Sequence, residues 1–255
     1  LVKLASVPGV VRSAGLEQDG LQVALFLEDQ RLQSLDRVLA EQGRLSLREV
    51  LHVGLETSRV LESVHATGVV HKDVKPQNLL WDEKNHRVTL LDFAIASELA
   101  EEATTAAIPE ALEGTLAYMS PEQTGRMARG IDARTDLYSL GIVLFELLCG
   151  HRPFVETDPL ALVHAHLAKP PPSIMAMAPN VPTMVARIVE RCLEKHPEHR
   201  YQTAKGLAED IAECIRQWIK TGAVESFGLG RKDYSPVLHL PQSLVSREIE
   251  AEELH

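Results

Sequence analysis

The sequence is poor in the features that mark membrane, nucleic-acid-binding and disulfide-built proteins. No apolar run reaches the roughly 18 residues of a membrane-spanning helix, and no charged start followed by an apolar stretch marks a leader segment. A cytoplasmic protein, or a cytoplasmic part of one, is the expectation, and a chain that begins at Leu1 reads as a fragment. Basic residues are few: 26 Lys and Arg against 36 Asp and Glu give a formal charge of -10. That balance argues against nucleic acid or anionic membrane as partners, because such binders cluster Lys and Arg against phosphates. Cysteine is scarce and odd in number. Cys149, Cys192 and Cys214 are widely spaced within apolar helical patterns, so they read as buried free thiols of a reducing compartment. What is present suffices for one large domain and a tail: 255 residues, 45% hydrophobic, with no long polar tract before the C-terminus.

The most informative stretch is His71-Lys72-Asp73-Val74-Lys75-Pro76-Gln77-Asn78. Pro76 is expected to keep it from becoming helix, so that Asp73 and Asn78, five residues apart, face one small volume with Lys75 between them. A carboxylate can accept the proton of an attacking hydroxyl, a lysine can neutralise a moving phosphate, and an amide oxygen can hold a hard cation. The stretch fits H-R-D-L-x-x-x-N, with Lys72 in the Arg place and Val74 in the Leu place. In this it resembles the catalytic loop of eukaryotic-type serine/threonine protein kinases, where a lysine two residues after the aspartate marks Ser/Thr specificity.

Further motifs follow in the family's order. Asp92-Phe93-Ala94, fourteen residues after Asn78, resembles D-F-G with Ala for Gly. The change would restrict a backbone that glycine leaves free at positive φ. Gly114-Thr115-Leu116-Ala117-Tyr118-Met119-Ser120-Pro121-Glu122 resembles the G-T-x-x-Y-M-x-P-E block, with Ser120 for the usual Ala. The resemblance implies ATP and Mg²⁺ as cofactors. It also implies Asp73 as base, Lys75 on the phosphate, Thr115 bonded to both, and Asn78 and Asp92 as metal ligands. It pairs Glu122 with Arg200 of Pro197-Glu198-His199-Arg200-Tyr201. Asp136 either accepts backbone N–H groups of the catalytic loop or serves only as a helix cap. Thr104 and Thr105 lie where an activation segment would be, as phosphorylation sites able to pair with Lys72 or as plain residues of a solvated loop running from Ser97 to Glu113.

The local patterns order the rest. Val10 to Leu16 and Leu21 to Leu27, around Asp19-Gly20, read as a hairpin, with Leu1 to Ala5 as the last turn of a preceding helix. By resemblance Phe26 to Gln30 is the hinge between lobes. There the Glu28 carbonyl and Gln30 N–H would meet adenine, with Leu27 behind it and Leu80 also lining the nucleotide site; otherwise the strands are an ordinary edge hairpin. Ser34 to Ala40 reads as a short helix. Ser46-Leu47-Arg48-Glu49 is a capping box opening a helix to about Thr67, stopped by Gly68. Its His52 and His65 read as packing or surface residues. Leu79 to Trp81 and Val88 to Leu91 read as strands. Asp132 to Cys149 is apolar on nearly every face and should be buried all round. After a short helix starting at Asp158-Pro159, whose His164 and His166 point to different faces, Pro182 to Leu193 and Thr203 to Ile219 read as the last helices.

The expected fold is α+β, protein-kinase-like: residues 1–30 a remnant of the small lobe and hinge, 31–220 a mainly α-helical large lobe, and 221–255 a linker. Leu244-Val245-Ser246-Arg247-Glu248 resembles the entry to an AAA-type ATPase, as in large bacterial sensor proteins that carry kinase, ATPase, GAF and histidine kinase domains. No G-x-G-x-x-G precedes His71, and Lys3 is the one lysine before Lys72. Two functional classes are therefore in play: phosphate transfer to protein Ser or Thr hydroxyls, and a catalytically impaired kinase fragment acting as a binding or regulatory module. Small-molecule phosphotransferases that share an H-x-D loop fit poorly, for they lack the Pro-Glu block.

Overall fold

A computed structural model describes residues 4, 6–19, 22–93, 96–98, 116–127 and 129–234. The strands are β1 (Ser13–Asp19), β2 (Gln22–Leu27), β3 (Gln33–Ser34), β4 (Val69–Val70), β5 (Leu79–Asp82), β6 (Arg87–Leu90) and β7 (Ser97–Glu98). The helices are α1 (Leu35–Gln42), α2 (Leu47–Ala66), α3 (Ala133–Cys149), α4 (Pro159–Ala168), α5 (Ile174–Met177), α6 (Thr183–Cys192) and α7 (Ala204–Thr221). Helices dominate and the strands pair antiparallel in small sheets: β1 with β2, β3-β5-β6, and β4 with β7. This is the expected α+β organisation.

The capping box at Ser46 forms in full. The Ser46 hydroxyl accepts from the Glu49 amide at 3.3 Å and the Glu49 carboxylate accepts from the Ser46 amide at 2.8 Å, which satisfies donors that the first turn of α2 would otherwise leave bare. An apolar stripe of Val50, Leu51, Leu55, Val60, Leu61 and Val64 is buried, and Gly68 ends the run at φ 78°. α2 packs against α3 and α7. α3 is buried all round from Arg134 to Phe145, capped by Asp132 and stopped by Gly150 in the left-handed region. A Cβ at Gly141 would lie 2.6 Å from the Cys192 Cβ, so only glycine lets α3 and α6 approach so closely. Cys192 and Cys214 are buried free thiols, pushed up to about 12 by burial, while Cys149 is half-buried.

Several expectations need correction. The first strand begins at Ser13, because Val10 and Val11 are buried against Leu90: the Val11 amide donates to the Leu90 carbonyl at 3.0 Å. Burial of two valines at the core edge outweighs their place in a two-stranded ladder. Ser97 and Glu98, read as the start of a loop, pair as β7 with Val70 and Val69. Pro76 does not exclude helix: it opens one 3-10 turn, Pro76–Asn78, at the position where its missing N–H costs nothing. Of the expected helix end at Leu1 to Ala5 only Leu4, which is buried, is described; the Ala94 position, Thr104, Thr105 and residues 235–255 lie outside the described residues.

The chain after Thr221 folds back onto the helices as far as Tyr234. The buried Asp233 carboxylate accepts from the Gln202 amide (2.8 Å), from the Thr203 amide and hydroxyl (each 2.9 Å) and from Arg191. It thus meets the positive start of α7 from outside the helix. Asp233→Ala strands these donors, and a stability loss of about 2 kcal/mol or more is expected in denaturant unfolding; an unchanged midpoint would refute this docking.

Candidate functional site

β4 carries the chain from α2 into the His71–Asn78 loop, and α3 supplies the post that fixes it. The fully buried Asp136 carboxylate accepts from the His71 amide at 2.9 Å, from the Lys72 amide at 2.7 Å and from His65 Nε2 at 2.8 Å. Burial opposes ionisation of Asp136, but the hydrogen bonds from the His65 side chain and the His71 amide outweigh it and hold its pKa below the usual carboxylate value. Asp132, not Asp136, is the cap of α3, so of the two alternatives for Asp136 the geometry favours the loop anchor. His65 is neither a free surface group nor simple packing. It lies 71 positions from its partner, and nothing in the local pattern announces the contact.

Lys72 adopts φ 68°, a strained left-handed geometry for a residue with a Cβ. The strain is offset by bonds on both sides: Asp136 takes its N–H, and Gln123 Nε2 donates to its carbonyl at 2.9 Å. His71 Nδ1 accepts from the Asp73 amide at 3.1 Å while Nε2 donates to the Leu91 carbonyl at 2.8 Å. The imidazole, edge-on to Phe93 at 4.5 Å, therefore ties the loop to the strand that follows it.

With its backbone held, Asp73 presents two different oxygens. Oδ2 accepts from Lys75 Nζ at 2.7 Å and from Asn78 Nδ2 at 2.9 Å. Oδ1 is buried without a hydrogen-bond partner among the described residues, an orphaned acceptor of the kind that a substrate hydroxyl would satisfy. The Asn78 amide nitrogen also bonds the Asp73 carbonyl at 2.9 Å. Both its protons go to Asp73, so its Oδ1 is the end left for a cation. Leu91 donates its amide to the Asn78 carbonyl at 2.8 Å, and the exposed Asp92 follows directly at φ 56°. Among the described residues no three His, Cys, Asp or Glu side chains gather in metal-binding geometry. A pair of hard oxygens from Asn78 and Asp92 is the donor set that suits Mg²⁺, which takes its remaining ligands from phosphates and water.

The residues expected around the nucleotide are connected by the small sheet. Glu28 extends the first hairpin through its amide to the Arg12 carbonyl at 3.0 Å, and Gln30 Nε2 reaches the Glu28 carbonyl at 3.5 Å. Leu27 is exposed. Three residues beyond Gln30, β3 pairs with β5, Ser34 opposite Leu80. Leu80 is half-buried between the buried Leu79 and Trp81, on the opposite face of the strand. Thr115 lies outside the described residues, so its expected bonds to Asp73 and Lys75 are not placed.

Behind the site, Arg200 and Glu122 form the bidentate pair that the two motifs predict, at 2.7 and 2.9 Å, with both side chains buried. Thr135 donates to the same carboxylate at 2.8 Å. The Tyr118 hydroxyl donates to Glu146 at 2.6 Å; burial raises both groups.

The protein kinase domain family model matches residues 1–211. Among curated proteins, the chain is 34% identical over 180 residues to the serine/threonine-protein kinase PknB of Mycolicibacterium smegmatis, covering 70% of this chain and 28% of that protein. It is 37% identical over 183 residues to a probable serine/threonine-protein kinase of Clostridium perfringens, covering 70% and 25%. To another probable serine/threonine-protein kinase, of Corynebacterium efficiens, it is 32% identical over 225 residues, covering 86% and 33%. The chain thus spans roughly a quarter to a third of the length of these relatives.

Proposed function

Because this chain belongs to the protein kinase family, we propose that it transfers the γ-phosphate of ATP to serine or threonine hydroxyls of protein substrates. The single observation that carries the reading is the unpartnered Asp73 Oδ1, buried beside a lysine and an amide that already hold the other oxygen. Asp73 Oδ1 takes the proton of the incoming hydroxyl, and the bonds to Oδ2 keep the carboxylate aimed while it does so. Lys75, 2.7 Å from Asp73, offsets charge on the transferred group. Asn78 and Asp92 are the residues that would hold Mg²⁺, which when bound neutralises phosphate charge. Glu28, Gln30 and Leu80 would take the adenine end, and Thr115 would join Asp73 and Lys75 from the substrate side.

The serine/threonine-protein kinase names of the relatives support the substrate class. The Leu244 to Glu248 sequence supports a parent protein in which an ATPase and sensor domains follow, working in cytoplasmic signal transduction. Among the described residues no helix is long and apolar enough to cross a membrane.

Calorimetric titration with Mg·ATP tests the site directly. Saturable binding is expected for the chain, and loss of it for Asp92→Asn, which keeps the volume but removes the anionic ligand. A folded chain that binds no nucleotide, or a variant that binds as well as the parent sequence, would count against the assignment.

A further inference from the structure

We propose that Gln123 is a positioning residue for phosphate transfer, clamping the peptide that carries Asp73 to the substrate-side block. The inference rests on the reading of Asp73 as the base, and it begins from a two-ended contact. Gln123 Oε1 accepts from the Ser120 amide at 2.9 Å, while Nε2 donates to the Lys72 carbonyl at 2.9 Å. One partner is a donor and the other an acceptor, so the amide fits in one orientation only.

The Lys72–Asp73 peptide is thereby gripped at both of its polar atoms. Its carbonyl goes to Gln123, and its N–H, that of Asp73, goes to His71 Nδ1 at 3.1 Å. Asp136 reaches only the two amides before it, those of His71 and Lys72. Among the described residues, Gln123 is thus a side chain from outside the loop that fixes the plane from which the Asp73 Cα projects, at a residue, Lys72, whose φ of 68° would relax if released.

Where Gln123 sits gives the clamp its rigidity and its meaning. It belongs to the 3-10 turn Pro121–Thr124, closed by the Thr124 hydroxyl on the Pro121 carbonyl at 2.6 Å. The residue before it, Glu122, is locked to Arg200 in the core. Consecutive residues of one turn therefore face two ways, Glu122 into the helical core and Gln123 onto the loop. The aim of the base becomes conditional on the substrate-side block being seated: if that turn moves, the Lys72 carbonyl loses its donor and the Asp73 peptide can rotate.

Two variants test this. Gln123→Met keeps the length of the side chain and removes both polar ends. Roughly tenfold faster hydrogen exchange at the Asp73 amide is expected with core amides of α3 unchanged. In phosphate transfer to a generic protein acceptor, a roughly tenfold fall in kcat with little change in KM for ATP is expected. Gln123→Glu keeps the acceptor for Ser120 but sets a carboxylate against the Lys72 carbonyl. Its deficit in kcat relative to the parent sequence should shrink about threefold or more as pH is lowered from about 8 to about 5.5, since a part-buried carboxyl set against a carbonyl oxygen is raised above its ordinary range and, once protonated, can donate again. An unchanged Asp73 exchange rate in Gln123→Met, or a Gln123→Glu deficit that does not vary with pH, would overturn the clamp. The exchange measurement needs no turnover. A parent chain that transfers no phosphate would therefore sink the proposed activity and still leave the clamp to be decided.

Discussion

Asp73→Ala yields a folded chain whose phosphate transfer falls by roughly 10²- to 10⁴-fold, the usual contribution of a positioned general base. The structure explains why loss of activity and retention of fold should go together. The backbone at this position is held by groups other than its own carboxylate: Asp136 on the two preceding amides, Gln123 on the Lys72 carbonyl and His71 on the Asp73 amide. Truncating the side chain removes one partner of Lys75 and one of two acceptors of Asn78, and Asn78 keeps its bond to the Asp73 carbonyl. The expected cost in stability is therefore small, about 1 kcal/mol. Nucleotide titration should be nearly unchanged, because the proposed cation ligands Asn78 and Asp92 remain. Rapid-quench transfer assays beside a melting curve read both quantities. Turnover within threefold or so of the parent sequence would remove Asp73 from the role of base, and loss of nucleotide binding would mean that it holds the cation instead.

The order in which such residues became visible follows from the range of their interactions. Ser46 and Glu49 are three positions apart, so their box could be read directly, and Gly68 announced a helix end because glycine tolerates the positive φ found there. Asp73, Lys75 and Asn78 sit within one loop and were legible for the same reason. Glu122 and Arg200 are 78 positions apart and were legible only because two family motifs name them as partners. No such motif names His65 with Asp136 or Gln123 with Lys72, at separations of 71 and 51. Periodicity reports which face of a helix is apolar; it carries nothing about which polar side chain crosses to another segment. The displaced start of β1 and the unexpected β7 have a similar origin. Both are short runs whose backbone partners, Leu90 and β4, are fixed by tertiary packing rather than by alternation. The docking of residues 222–234 rests on Val224, Phe227 and Leu229 packing against the core and on the Asp233 carboxylate meeting the start of α7, contacts to distant segments that a stretch without helical periodicity conceals.

Arg200→Ala is expected to be the most destabilising single truncation among the residues behind the site, at about 3–5 kcal/mol. The guanidinium lies fully buried and is used on every side. It makes two bonds to Glu122, donates through Nε to the Glu194 carbonyl at 2.7 Å, and reaches the Lys195 carbonyl at 3.0 Å and the Arg134 carbonyl at 3.2 Å. It also lies over the Tyr138 ring, 4.8 Å from its centroid. Removal leaves a buried carboxylate whose remaining donor is the Thr135 hydroxyl, and three carbonyls that share its loss. For a domain of this size each kcal/mol moves the melting temperature by about 2–4 °C, so a fall on the order of 10 °C is expected. Arg200→Lys should recover only part of it, since a single ammonium cannot reproduce the planar fork on Glu122. The pairing itself is isolated by adding Glu122→Gln: with no unpaired anion left in the core, the double variant should be less destabilised than the two single losses summed. An Arg200→Ala chain that melts with the parent sequence would show that the ion pair does not hold the substrate-side turn. A double variant whose losses simply add would show that the arginine works through the carbonyls alone.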